Sequence, residues 1–252
     1  MRKSQLIYQY IREQGAVSKQ DIVIGLGLSL PTITQNLNNL AELGLIDTSK
    51  KISNTGGRNA TAYSYIEKAR YAVGLYLNRH HINCVAVDLS GNVISLIRVR
   101  ENFDLNDDNY LRKIGETVEE VKKDTGLPDD RFLGVGIAVQ GLISDDGERV
   151  TYGLTLNFTG VTRADIAKYI PYHNRLFHDS AAAGYAEVWD RNDLDDAFYL
   201  SLSNSVGGAV IVANKIFEGE RRKSGEIGHM TIIPKAGDRC YCGQRGCFDT
   251  VC

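Results

Sequence analysis

Gly225-Glu226-Ile227-Gly228-His229, followed shortly by Cys240-Tyr241-Cys242-Gly243-Gln244-Arg245-Gly246-Cys247, is the most telling stretch of this chain. One imidazole and three thiols fall between residues 229 and 247. Zinc takes Cys sulfur and His nitrogen in a tetrahedron, and a full Cys3His set leaves no open position for water, so such a site braces a fold. His229, Cys240, Cys242 and Cys247 are therefore candidate ligands of a structural zinc ion, and Gly243 and Gly246 let the chain bend between them. The Cys-x-Cys step is tighter than the usual gap of about two to four residues. The competing explanation is buried cysteines beside an unrelated histidine. Cys84, in the apolar run 82–87, and Cys252 at the end read as ordinary thiols.

At 252 residues and 43% hydrophobic content the chain has room for two domains with real cores. No apolar run approaches the roughly 18 residues of a membrane helix, and the first fifteen residues read as an amphipathic helix, not a signal peptide. Five cysteines, an odd number with three crowded near one His, suit a reducing compartment and a metal better than a disulfide framework. The expected location is the cytoplasm. Net charge is −2, unevenly spread: residues 1–65 hold seven Lys/Arg against four Asp/Glu, the remainder 22 against 27. A basic head on an acidic body fits nucleic-acid binding by the head.

The head reads as a winged helix-turn-helix over residues 1–68. Ser4 is placed to cap a helix through Gln14 with Leu6, Ile7, Tyr10 and Ile11 on one face, closed by Gly15. Ser18-Lys19-Gln20-Asp21 resembles a capping box opening a short second helix, with Gly25-Leu26-Gly27 as the turn. Ser29 caps a third helix, Pro31 fits its first turn, and Ile33, Leu37, Leu40 and Leu43 form its buried stripe. Its other face is small and polar. Thr32, Thr34, Gln35 and Asn38 reach phosphates and base edges without presenting carboxylates, as a recognition helix in the major groove requires; Gln35 and Asn38 are the preferred base readers. For any one of these residues a merely solvated face is the competing explanation. Residues 45–47, Lys50-Lys51, the turn 54–59 and the alternating 61–65 read as a hairpin wing whose Arg58 enters a minor groove or pairs with a phosphate.

The body, residues 69–252, reads as α/β. Short apolar strands at 71–77, 82–87 and 93–99, with Ser90-Gly91-Asn92 between the last two, form an antiparallel meander. A helix over 107–123 carries Tyr110, Leu111, Ile114, Val118 and Val121 on one face, and a strand at 133–139 follows.

In its winged head, meander, Gly134-Val135-Gly136-Ile137 with Gly141, His178-Asp179-Ser180, Val206-Gly207-Gly208, Gly225-Glu226-Ile227-Gly228-His229 and the cysteine cluster, the chain resembles the ROK family of repressors, open reading frames and kinases. The resemblance spans essentially all 252 residues. It implies two actin-like or ribonuclease-H-like lobes of sugar-kinase type, and structural zinc on His229, Cys240, Cys242 and Cys247. It further implies sugar binding by an Asn-Asp pair, the Glu and His of the Gly-Glu-x-Gly-His motif, and an acid two residues past the last Cys. The matching positions are His178-Asp179, Glu226, His229 and Asp249, with His178 in place of Asn and Asp249 in place of Glu. Carboxylates suit sugars because their oxygens accept hydrogen bonds from hydroxyls; Asp179 also suits a plain helix start, and Glu226 a turn acid. Family members continue past the cysteine cluster, so the second lobe is expected to be incomplete here.

Family kinases carry Asp-x-Gly-Gly-Thr after the first strand, where the acid serves Mg²⁺ and glycine amides approach ATP phosphate. This chain has Tyr76-Leu77-Asn78-Arg79-His80, in which a phenol replaces the acid and side chains obstruct the approach. The second loop, 203–209, keeps Gly207-Gly208, which serves equally as a turn. Asp179 matches the kinases' general base, but phosphoryl transfer rests on positioned phosphates and metal, so Asp179 would be a vestigial one. The expectation is a non-enzymatic, sugar-responsive transcriptional regulator, most simply a repressor, binding operator DNA as a homodimer or higher homo-oligomer. The alternative is an ATP-dependent sugar kinase carrying a DNA-binding head.

Overall fold

The computed structural model describes residues 2–52, 60–189, 191, 195–203 and 205–252, with Arg221 described by its backbone alone. The chain divides into two units, Met1–Arg70 and Tyr71–Cys252.

The first unit opens with α1 (Lys3–Gln14), in which Ile7 and Ile11 lie one turn apart and are fully buried. Its cap is Arg2, not Ser4: the Arg2 amide donates to the Gln5 side chain at 3.0 Å. The helix starts two residues early, with Gln5 at its third position reaching back to accept from the cap amide. In α2 (Lys19–Leu26) the capping box forms as expected, with the Asp21 amide donating to Ser18 Oγ at 3.2 Å and the Ser18 amide to Asp21 Oδ2 at 2.8 Å. Gly27 ends it at φ 62°. In α3 (Leu30–Glu42) Ile33, Leu37 and Leu40 are buried. Leu43 is 55% exposed, because the helix has already ended there and the stripe stops with it. Ser29 occupies the cap position, but its hydroxyl shares a hydrogen bond with Thr32 Oγ1 (2.9 Å) instead of meeting a backbone amide.

Four short strands follow: β1 (Ile46–Asp47), β2 (Lys51–Ile52), β3 (Ala60–Thr61) and β4 (Ser64–Tyr65). The antiparallel pairs are β1 with β4 and β2 with β3. The turn expected at 54–59, with Arg58, lies outside the described residues. Ile7, Ile11, Val17, Ile22, Ile33, Leu37, Leu40 and Ile46 make one core, so three helices and the β1–β4 pair stand on a shared apolar centre.

The second unit starts with the expected meander: β5 (Tyr71–Leu77), β6 (His81–Asp88) and β7 (Val93–Arg100), paired antiparallel. Asp88 Oδ1 accepts from the Ser90 and Asn92 amides at 2.9 and 3.0 Å, which closes the β6–β7 turn. Next, α4 (Asp108–Asp124) lays the expected Tyr110, Leu111, Ile114, Val118 and Val121 on β5, β6 and β7. It is followed by β8 (Phe132–Val139), β9 (Leu142–Ile143), β10 (Val150–Tyr152), the one-turn α5 (Arg163–Ile166), β11 (Asn174–His178) and α6 (Asp179–Val188). The large sheet runs β11-β8-β5-β6-β7, with β11, β8 and β5 parallel. Their register brings Leu77, Val139 and His178 side by side, so three carboxyl ends open on one edge. Ligands of α/β sheets gather at such an edge.

Finally β12 (Ala197–Leu202), β13 (Val206–Val212) and β14 (Lys215–Phe217) form a second, antiparallel sheet. α6 packs on one face of it, where Gly184 meets Tyr199, Ala209 and Ile216. No helix among the described residues is long and apolar enough to cross a membrane.

Candidate ligand cleft and metal centre

A cleft opens at the carboxyl ends of β8 and β11. Gln140, Tyr152, Thr155, His178, Asp179, Ser203, Glu226, His229 and Tyr241 are among its walls. Of the sequence-predicted sugar residues, Asp179, Glu226 and His229 meet here although 47 residues separate the first two along the chain.

His178 ends β11 and Asp179 begins α6, so the strand-to-helix step places both at the sheet edge. Glu226 and His229 arrive on the Gly225–His229 segment, which passes against β13. A Cβ at Gly225 would strike the Gly208 carbonyl oxygen, and one at Gly228 the Val206 carbonyl oxygen. The motif needs both glycines for that close approach. His178 Nε2 then lies 3.5 Å from Asp179 Oδ1 and 3.7 Å from Glu226 Oε1, an imidazole between two half-buried carboxylates. Burial pushes the Asp179 carboxyl above its ordinary value, against the lowering effect of His178 and of the Ser180 amide, which donates to Oδ1 at 2.8 Å. Asp249 stands apart. It accepts from the Val206 amide and is not among the residues lining this cleft.

On the far side of Asp179 stands Tyr76, at the end of β5. Burial first, and the Asp179 charge second, push its hydroxyl up to about 12, so it stays a neutral donor. Gln140 Nε2 is 3.5 Å from the Tyr76 oxygen. The turn after β5 is closed on itself: Asn78 Oδ1 accepts from the amides of His80 (3.0 Å) and His81 (2.9 Å). Arg79 donates to the Thr155 carbonyl at 2.7 Å. In the second loop, Asn204 lies outside the described residues.

The four predicted zinc ligands converge. Their ligand atoms all lie within 4.8 Å of one another, with Cys240 Sγ 3.7 Å from His229 Nδ1 and Cys242 Sγ 3.7 Å from Cys247 Sγ. A tetrahedral zinc ion with bonds of about 2.3 Å to sulfur and about 2.0 Å to nitrogen sets ligand separations of roughly 3.5–3.8 Å, so the side chains fit the ion. Burial drives the Cys240 thiol upward and that of Cys247 to about 12, a penalty that a dication reverses by binding thiolate. The backbone forms a tight knuckle: the Cys240 amide donates to the Gln244 carbonyl at 2.8 Å and the Gly243 amide to the Cys240 carbonyl at 3.0 Å. Gly246, at φ 70°, is pressed against Ile233 where no side chain fits. Tyr241, between two of the ligands, reaches the cleft and meets the His229 ring edge-on at 5.2 Å.

Sequence reasoning passed over Gln140, Tyr152, Thr155 and Tyr241 as wall residues, and treated Tyr76 and His178 only as departures from a pattern. Gln140 carried a usable signal, since it directly follows an apolar strand at the edge where ligands collect. Thr155 and Tyr152 carried none.

A family model described as "ROK family" matches residues 72–252. Over 97% of its length the chain is 26% identical to the xylose repressor of Bacillus subtilis (strain 168), covering 64% of that protein. The crystal structure of a ROK family transcriptional regulator, a homolog of the E. coli MLC protein, is similar with a TM-score of 0.78 and 22% identity, over 98% of this chain and 63% of that one. A ROK hexokinase from Thermus thermophilus is similar with a TM-score of 0.57 and 24% identity, over 71% of this chain and 59% of that one. The chain spans less than two thirds of the length of the curated relatives it matches first.

Proposed function

Because the chain belongs to the ROK family, we propose that it is a sugar-responsive, DNA-binding transcriptional regulator, acting as a repressor. The observation that carries this reading is the alignment with a curated repressor over 97% of the chain, head included, whereas the likeness to the hexokinase covers 71%. Residues 1–68 are the winged helix-turn-helix and residues 69–252 the sensor. On α3, Gln35 and Asn38 are exposed and Thr32 and Thr34 partly so, while Glu42 at its end is the helix's one acid. These side chains and Arg58 contact operator DNA, and the protein works as a dimer on two half-sites.

The effector is a sugar held by Asp179, Glu226 and His229, with Asp249 fixing the Val206 turn nearby. It acts by binding the DNA-competent and DNA-incompetent states unequally. Zinc, on His229, Cys240, Cys242 and Cys247, supplies a structural cross-link and no reaction. Kinase activity is not part of the proposed function: side chains stand at Asn78 and Arg79, where the family resemblance implies phosphate-approaching glycines, the Asn78 amide donates to the His81 carbonyl at 3.1 Å, and Tyr76, a neutral phenol, stands where the resemblance implies a magnesium-binding acid.

Two experiments test this. In gel-shift titrations against the promoter of the adjacent genes, Gln35→Ala and Asn38→Ala are each expected to weaken the specific complex by about 1–3 kcal/mol, the worth of one bidentate base contact. Absence of any sequence-specific shift, with or without sugars, defeats the DNA half. In a coupled ADP-release assay over hexoses, pentoses and amino sugars, no turnover above background is expected; sugar-dependent ADP release returns the chain to the kinases.

A further inference from the structure

Four buried side-chain polar atoms lack a hydrogen-bond partner among the described residues: the hydroxyls of Tyr8, Tyr71 and Tyr110, and Gln140 Oε1. Of these four residues Gln140 alone lines the cleft. Its side chain is buried, 7% exposed, and its other amide atom makes one long contact of 3.5 Å to Tyr76. A buried amide oxygen left unmet costs as much as a hydrogen bond lost. Two apolar groups would have filled this place without that cost, so the amide is retained against the stability of the empty cleft.

We propose that Gln140 is a specificity-determining contact: its amide takes a hydrogen bond from one hydroxyl of the effector, which is a neutral, unphosphorylated sugar. The assignment rests on the sugar reading of the cleft given above and extends it to a residue and a ligand class. The terminal torsion of glutamine is broad, so the amide turns to an entering hydroxyl at little cost. Charge sets the class. Asp179 and Glu226 face the cleft, and no Lys or Arg is among the described residues that line it. A phosphoryl group would bring further negative charge to two half-buried carboxylates, whereas hydroxyls donate to them. Tyr76 holds the subsite in register, with its oxygen within reach of the Gln140 amide and its side chain lining, with Asp179, a neighbouring cavity.

The test is calorimetry on the whole chain. Aldopentoses, aldohexoses and N-acetylhexosamines are titrated first, then the monodeoxy series and the 6-phosphate or terminal phosphate of the tightest binder, against wild type, Gln140→Met and Asp179→Asn. One monodeoxy sugar is expected to bind wild type on the order of ten- to a hundredfold more weakly than its parent. Gln140→Met should lose the same factor toward the parent and nothing more toward that deoxy sugar, and the phosphorylated sugar should bind more weakly than the parent throughout. If Gln140→Met melts early, Gln140→Asn replaces it with the same expectation, the amide being withdrawn by one methylene. Unchanged affinity in the Gln140 variants, a deoxy penalty that persists in full within them, or tighter binding of the phosphate overturns the proposal and leaves the cleft standing when Asp179→Asn abolishes binding. No heat with any sugar, or full affinity in Asp179→Asn, overturns the sugar reading itself and this proposal with it.

Discussion

Alanine at Cys247 is expected to leave the purified protein without its zinc and to lower its melting temperature by about 10 °C. Cys247 is fully buried and joins two parts of the knuckle: its sulfur faces Cys242, and the next residue, Phe248, donates its amide to the Met230 carbonyl at 2.9 Å. Besides backbone hydrogen bonds such as those of the Ile232 and Ile233 amides to the Gly246 carbonyl, residues 230–247 have little apolar support: Ile232, Ile233, Tyr241 and Met230 are 40–60% exposed, and neither apolar core of the described residues includes them. In a segment of this kind metal-binding free energy is folding free energy. Loss of a metal belongs among the few single changes that cost more than about 3 kcal/mol, and at roughly 2–4 °C per kcal/mol for a domain of this size that gives the stated shift. The damage reaches the cleft, because His229 and Tyr241 form its wall and Asp249, two residues on, holds Val206. Sugar affinity should fall together with metal content. Elemental analysis and thermal melts of wild type and variant decide the matter; a wild-type protein purified without a stoichiometric metal, or a Cys247→Ala protein that keeps it, contradicts the assignment.

Asp179→Asn is expected to do the opposite to stability while removing sugar binding by a factor of about a hundred or more. The affinity loss follows from charged hydrogen bonds, each worth about 1.5–3 kcal/mol, of which a carboxylate can offer two to vicinal hydroxyls. The stability effect follows from sign. Burial raises the folded-state pKa of Asp179 above its unfolded value, so the folded protein holds this proton more tightly. The corresponding stability is present in full at low pH and is lost as pH rises through the raised value. At neutral pH the wild type therefore keeps a charge it would be better without, and a permanently neutral asparagine is expected to melt at the same temperature or higher. Sugar binding, which needs the carboxylate, should decline on acidification at a higher pH than an ordinary aspartate would impose. Calorimetry and melts between about pH 4 and pH 8 separate the two effects. A variant that melts well below wild type would make Asp179 a structural acid and not a ligand-binding one.

Much of the fold was legible because its signals are local. Ser18 and Asp21 declare the second helix, and residues 107–123 show a 3.6-residue apolar stripe that packs as expected. The alternation in 71–77 and the Asp88-bound turn mark the meander. Errors came at element ends, where a single competing side chain decides: Gln5 moved the first cap to Arg2, and the early end of α3 left Leu43 in solvent. Strands β9 and β10 and helix α5 are two to four residues long, too short for a period to show.

For the site, residue type and spacing were sufficient to name four side chains whose ligand atoms converge in a group able to hold a metal, and three acids or bases that line the cleft, because a Cys/His cluster and a glycine-spaced motif are properties of short segments. They were insufficient to decide which neighbours those residues would meet. That Asp249 turns to the Val206 amide, that His178 stands between Asp179 and Glu226, and that Tyr76 lies beside Asp179 within reach of Gln140 are consequences of the parallel register of β5, β8 and β11 and of Gly225 and Gly228 lying flat on β13. The sequence alone determined which groups are present and what each can bind. Only the tertiary structure decided their distances and their burial, because hydrogen bonds form within about 3.5 Å and the cost of a charge depends on the water left around it.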